Sequence, residues 1–207
     1  MDVVGKREKL RMEKRKGNTK QRIIEESMKL FSVHGFEAVS IRTIAEAVGV
    51  GNSALYKHFK SKQDILEAIV VFSKEYFLEK SSQQMAKIQS KEDLKKACVT
   101  MFEFQTQDEW MVMFRKLLLI EQFKNEEMAE IYRKFFIELP VESQRMMFEQ
   151  LIHAGVMADK NARVMAMELY APFYLYHLHA ESIEELEKLF LQHVDNFWES
   201  YFRNEKE

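Results

Sequence analysis

Three observations predict an all-α fold for this chain. Proline and glycine are scarce, two and six in 207 residues, and no segment alternates apolar and polar residues as a half-buried strand would. Apolar residues instead recur at three- and four-residue steps, in stretches opened by Ser and closed by Gly, as amphipathic helices require. The stretch SIRTIAEAVGVGNSALYKHFKSK, residues 40–62, reads as two short helices joined by a tight turn, so an N-terminal three-helix, helix-turn-helix domain is expected ahead of a larger helical domain.

The elements follow in order. Residues 1–17 crowd Lys6, Arg7, Lys9, Arg11, Lys14, Arg15 and Lys16 against Asp2, Glu8 and Glu13. Such an arm is either a solvated tail or a strand of charge that lies along a minor groove. The first helix is expected from Asn18 or Thr19 to near Gly35, with Ile23, Ile24, Met28 and Phe31 inward. Ser40 caps a second helix whose apolar positions are Ile41, Ile44, Ala45 and Val48; Gly49 suits the left-handed residue that ends it. Val50 fills the gap, and Gly51 or Asn52 caps a third helix with Leu55 and Phe59 inward. Asn52, Ser53, Ala54, Tyr56, Lys57 and His58 are left largely outward. Ser61, with Asp64 three residues on, opens the next helix as a weak capping box.

Thr19 to Lys62 resembles the DNA-binding domain of TetR-type (tetracycline-repressor-like) transcriptional regulators. The matching residues are Ile23, Ile24, Leu30, Phe31, Gly35, Phe36, Ser40, Ile41, Ile44, Ala45, Gly49, Val50, Leu55, Tyr56, His58, Phe59, Ser61 and Lys62. Ser27 stands where the family commonly has Ala, and Gly51 and Asn52 replace a commoner pair in the base-reading region. The second departure bears on which operator is read. Charge agrees with a nucleic-acid partner: residues 1–62 hold 14 Lys+Arg against 7 Asp+Glu, and the remainder 17 against 26, a basic footprint on an acidic remainder.

Within the motif, Asn52, Ser53, Ala54 and Lys57 are the candidates for base edges, through adenine, guanine and thymine-methyl contacts. Arg42 is a candidate for phosphate or an adjacent base. Ser40 belongs to the same contact surface. Thr43, Tyr56, His58 and Lys62 are candidates for phosphates, which set register without reading sequence; the resemblance implies backbone clamping for Tyr56, His58 and Lys62. Packing against the neighbouring helix is the other reading of Tyr56 and His58.

Beyond Lys62 the pattern stays helical. Ile65, Leu66, Ile69, Phe72, Phe77 and Leu78 predict a connecting helix to about Lys80, and Ser90 with Asp93 opens one carrying Leu94, Ala97, Cys98, Met101 and Phe102. Helices are expected over 110–123 and 125–139, then from Pro140, which suits a first turn, to about Gly155. Others are expected over 162–180 and, from the Ser182/Glu185 capping box, 183–202. The domain plan is a basic arm at 1–17, the DNA-binding domain at 18–64, the connecting helix at 65–80 and an effector-binding and dimerisation domain at 81–207.

The resemblance implies that helices 162–180 and 183–202 pair two copies as a four-helix bundle. Mechanics point the same way, since a second recognition helix about 34 Å away reads the other half of a palindromic double-stranded operator. The resemblance also implies a small-molecule effector, largely apolar. Candidate pocket residues are Phe102, Gln105, Trp110, Phe114, Arg115, Tyr132, Phe136, Met147, His153, Phe173, Tyr174 and His177. Core and dimer packing is the competing reading of the aromatics. Pro172, mid-helix, frees the Glu168 carbonyl and is expected to kink the helix.

No catalytic set converges: there is no phosphate-cradling glycine loop and no HExxH, so an enzyme is not expected. His177 and His179 point about 200° apart on a helix and make no metal site. No cofactor is expected. The lone Cys98 reads as a buried small hydrophobe, with a redox sensor as the alternative. A single cysteine and the lack of a signal peptide or long apolar run predict a cytoplasmic protein with no membrane contact. Repression relieved by the effector is the expected mode. The alternatives are an architectural, nucleoid-type DNA-binding protein or a metal or redox sensor on the same scaffold.

Overall fold

The computed structural model describes residues 19–82, 88–176 and 182–202. The basic arm and His177 therefore lie outside the described residues. The helices are α1 (Thr19–His34), α2 (Ile41–Val48), α3 (Asn52–Tyr56), α4 (Lys62–Ser82), α5 (Lys91–Thr106), α6 (Glu109–Glu121), α7 (Glu126–Arg133), α8 (Leu139–His153), α9 (Ala162–Tyr176) and α10 (Ile183–Tyr201). The chain gathers into two compact units, Met1–Tyr76 with Met113–Glu126, and Phe77–Val112 with Glu127–Glu207.

The first unit is built on α1, α2, α3 and the first part of α4. Ile23, Met28, Phe31, Ile44, Val48, Leu55, Ile65 and Ile69 are wholly buried, the inward stripes that periodicity predicts. Leu78, grouped with the inward residues of α4, is exposed instead; it lies one position beyond Phe77, which is buried. The expected boundaries at 64 and 80 do not coincide with the unit, which takes α4 to Tyr76 and adds 113–126. The reason is a contact 85 residues apart in sequence: the Phe36 N–H donates to Glu121 Oε1 at 2.9 Å, and Glu121 is buried. Gly35, at φ +79°, makes room for it; a Cβ there would lie 3.1 Å from Glu121 Oε1 and 3.2 Å from Ile120 Cγ2.

The second unit packs stripes of α5 (Leu94, Cys98, Phe102), α8 (Phe148), α9 (Met165, Ala166, Leu169, Phe173) and α10 (Leu186, Phe190, Val194, Phe197) into one apolar cluster. Serines open its helices as expected. Ser90 Oγ accepts from the Asp93 N–H at 3.1 Å and Ser182 Oγ from the Glu185 N–H at 3.3 Å. Lys91 and Lys95 reach Asp195 at 2.8 and 2.7 Å, tying α5 to α10.

Pro140 lies in the first turn of α8, as expected, but no break precedes that helix. A π-helical turn, Lys134–Glu138, joins α7 to α8 without a break. Pro140 has no N–H for the Phe136 carbonyl four residues back; the Tyr170 hydroxyl donates to it instead, at 2.8 Å. Pro172 sits inside α9, and the Glu168 carbonyl that it leaves unserved lies 3.1 Å from His193 Nε2 of α10. Side chains from elsewhere in the fold thus satisfy the carbonyls, and the helical run continues through each proline.

Candidate nucleic-acid interface

The candidate reading surface is made by local chemistry. Ser40 is extended at φ −94° and its Oγ accepts from the Thr43 N–H at 3.1 Å, so α2 starts there. The Ser40 and Thr43 hydroxyls are themselves 2.8 Å apart. Gly49, at φ +75°, ends α2 in the left-handed region and turns the chain toward α3. Gly51 caps α3 through its backbone alone, accepting from Ala54 and Leu55 at 2.9 and 3.2 Å.

The third helix is shorter than expected. It covers five residues and ends at Tyr56, with Lys57 as its C-cap. Leu55 and Phe59 still share one side because the Phe59 N–H donates to the Leu55 carbonyl at 3.1 Å, the helical spacing, and both are buried. They pin the turn from below. Asn52, Ser53, Tyr56, Lys57 and His58 are exposed, and Ala54 is half-buried. The face offers an amide, a hydroxyl, a phenol, an ammonium and an imidazole within seven consecutive positions.

Arg42 and Lys62 are placed differently from each other. Arg42 is exposed and pairs with Glu46 one turn on, at 2.8 Å; a water-screened pair of this kind exchanges readily for a phosphate. Lys62 is half-buried. Its Nζ donates to the Phe36 and Glu37 carbonyls at 2.7 and 3.3 Å and lies 4.2 Å from the centre of the Phe36 ring. Its ammonium therefore fastens the start of α4 to the α1–α2 turn. Beside it, the Ser61 hydroxyl and the Lys60 N–H hold the Asp64 carboxyl below the usual carboxylate range. Arg22, which the sequence pattern did not single out, donates to the Val48 carbonyl at the end of α2. Lys20 lies 5.6 Å from the Phe59 ring centre.

Residues 23–69 match the family described as bacterial regulatory proteins, tetR family. The N-terminal domain is a TetR-family domain. Over 129 residues, 58% of its length, the chain is 35% identical to the uncharacterized HTH-type transcriptional regulator YerO of Bacillus subtilis (strain 168). That stretch spans 42% of YerO. The TetR-type fold extends further than the sequence likeness. A TetR-family transcriptional regulator from Mesorhizobium loti MAFF303099 superposes with a TM-score of 0.68 at 18% identity, over 89% of this chain and 97% of its own. A transcriptional regulator from Saccharomonospora viridis, solved in complex with choline, gives 0.68 at 19% identity over 89% and 98%.

The candidate effector residues are spread over both units. Phe102 and Phe173 are buried with ring centres 6.3 Å apart, and Phe190 stacks on Phe102 at 5.6 Å. Met147 packs against the same cluster. Tyr132 and Phe136 are buried and stack at 5.6 Å. Gln105 is buried and Trp110 half-buried. Phe114 and Arg115, also buried, fall in the first unit. His153 is the last residue of α8 and is exposed, and Tyr174 is 55% exposed; as placed, neither lines an interior. Helical register explains Tyr174, which follows the inward Phe173 by one position, about 100° round the helix. Gln144 is a buried polar residue that the aromatic-weighted reading passed over.

Proposed function

We propose that this chain is a sequence-specific transcriptional regulator. In this reading it represses from a palindromic operator as a homodimer and is released by a small, largely apolar effector held in the second unit. The open face of α3 carries the reading: Asn52, Ser53, Ala54 and Lys57 stand out over a turn pinned by Leu55 and Phe59. Asn52 and Lys57 suit adenine and guanine edges. Tyr56, His58, Thr43, Ser40 and Arg42 suit the phosphates that fix register.

Pairing through α9 and α10 is supported by an apolar stripe on the outer side of α9, where Val164, Met167, Tyr174 and Leu175 are all more than half exposed. Ile183 and Leu189 continue the exposed apolar surface on α10. A covered partner face is the usual explanation for such a patch. Effector release needs two states with different affinity for the ligand; a tenfold loss of operator affinity corresponds to about 1.4 kcal/mol of difference.

Footprinting on the DNA upstream of the gene, against random duplexes of equal length, tests the reading. Protection of an inverted repeat, with Lys57→Ala altering base preference at one position of each half-site, is the expected result. Equal affinity for all sequences would indicate an architectural role and refute the proposal.

A further inference from the structure

The second unit buries two polar side chains among its described residues, Gln105 and Gln144. Gln144 stands on the inward stripe of α8 between Val141 and Phe148, and is 8% exposed. Its Nε2 points at Met101 Sδ of α5, 3.5 Å away. A thioether sulfur only accepts, so the nitrogen end of the carboxamide is the end that can use it. This settles the orientation of the amide, which the chemistry of its neighbours must decide. The other end, Oε1, is fully buried and has no hydrogen-bond partner.

An unpaired carbonyl buried in an apolar cluster opposes folding, and a leucine of similar size would not. Met101 and Met147 are only partly buried against the cluster, and their unbranched chains can shift to admit an apolar body. Phe102 and Phe148 supply ring faces in the same cluster.

We infer that Gln144 is a ligand-reading residue, and that the effector is a neutral, apolar-bodied molecule presenting a hydroxyl or N–H to Gln144 Oε1. The inference rests on the second unit being an effector domain. Charge decides against an anion or a cation. No charged side chain is buried among the described residues of this unit, Arg145 pairs with Glu142 and Glu149, and Lys91 and Lys95 pair with Asp195. A charged ligand would lose its water with no opposite charge to meet it.

The test uses the full chain and the isosteric probes phenol and toluene, with indole and indene as a second pair, titrated by calorimetry. The wild type should bind each donor about tenfold more tightly than its isostere, the factor one neutral hydrogen bond commands. In Gln144→Leu the preference should fall below about threefold, with thermal stability equal or higher. If Gln144→Leu does not fold, Gln144→Met carries the same expectation. No probe binding, no donor preference in the wild type, or a preference that survives in the variant would overturn the inference. Gel shifts run alongside separate it from the reading it rests on. Donor preference lost in Gln144→Leu while phenol leaves operator affinity unmoved upholds the inference and refutes effector release. Release by phenol that Gln144→Leu leaves intact does the reverse.

Discussion

Replacing Gly35 by alanine should cost about 2 kcal/mol, twice the cost of the same change at Gly49. Both glycines sit in the left-handed region, at φ +79° and +75°, where a Cβ costs about 1–2 kcal/mol, part of it offset by a less flexible unfolded chain. At Gly49 a new Cβ meets nothing within 4 Å, so the backbone cost stands alone at about 1 kcal/mol. At Gly35 the Cβ meets Glu121 Oε1 at 3.1 Å and Ile120 Cγ2 at 3.2 Å. Ile120 is at the surface and can give way. Glu121 is buried and held by the Phe36 N–H, so relief there strains a hydrogen bond to a carboxylate, adding about 1 kcal/mol. For a chain of this length the two variants should melt about 6 °C and about 3 °C below the wild type. Urea unfolding followed by far-ultraviolet circular dichroism reads both. Adding Glu121→Ala should bring the Gly35 penalty down to the Gly49 value, since it removes the atom that is met. Equal penalties at Gly35 and Gly49 in the wild-type background would refute the reasoning.

Lys62→Ala should lower stability by about 1–2 kcal/mol through loss of its carbonyl bonds and its place over the Phe36 ring. With two of the three Lys62 N–H donors turned to carbonyls, the substitution should change the salt slope of operator binding by clearly less than one ion; a full unit would mark Lys62 as a phosphate contact. Burial pushes the Cys98 thiol up to about 12, so at pH 8 it should resist iodoacetamide in the folded chain and react on unfolding. Because the folded chain keeps this proton longer than the unfolded one, its contribution is complete below pH 9. It is lost at up to about 1.4 kcal/mol per pH unit as the pH rises toward 12; Cys98→Ala should remove that slope, and an unchanged slope would exclude the thiol as its source.

Much of the reading surface was legible because it is local. Helix starts at Ser40, Ser61, Ser90 and Ser182 depend on a hydroxyl and a group three residues on, and Gly35, Gly49 and Gly155 mark left-handed ends. Two things depend on more than the local pattern. The amphipathic period does not say where a short helix stops: Phe59, inward with Leu55, lies beyond Tyr56, the last residue of α3. Residue type does not say what a long side chain reaches: Lys62 Nζ donates to the Phe36 and Glu37 carbonyls, some 25 residues earlier.

The all-helical character, the inward stripes and the outward set from Asn52 to His58 are written in spacing alone, because helical periodicity and capping act over one to two turns. The partners of Glu121, Lys62, Pro140 and Pro172 are not. Each depends on a group between 25 and 85 residues away, brought near by packing. A buried carboxylate or a carbonyl left without an N–H must find a partner, but sequence spacing cannot say which one. That choice belongs to the folded chain, where the cost of leaving a polar group dry and unpaired selects among the contacts that packing allows.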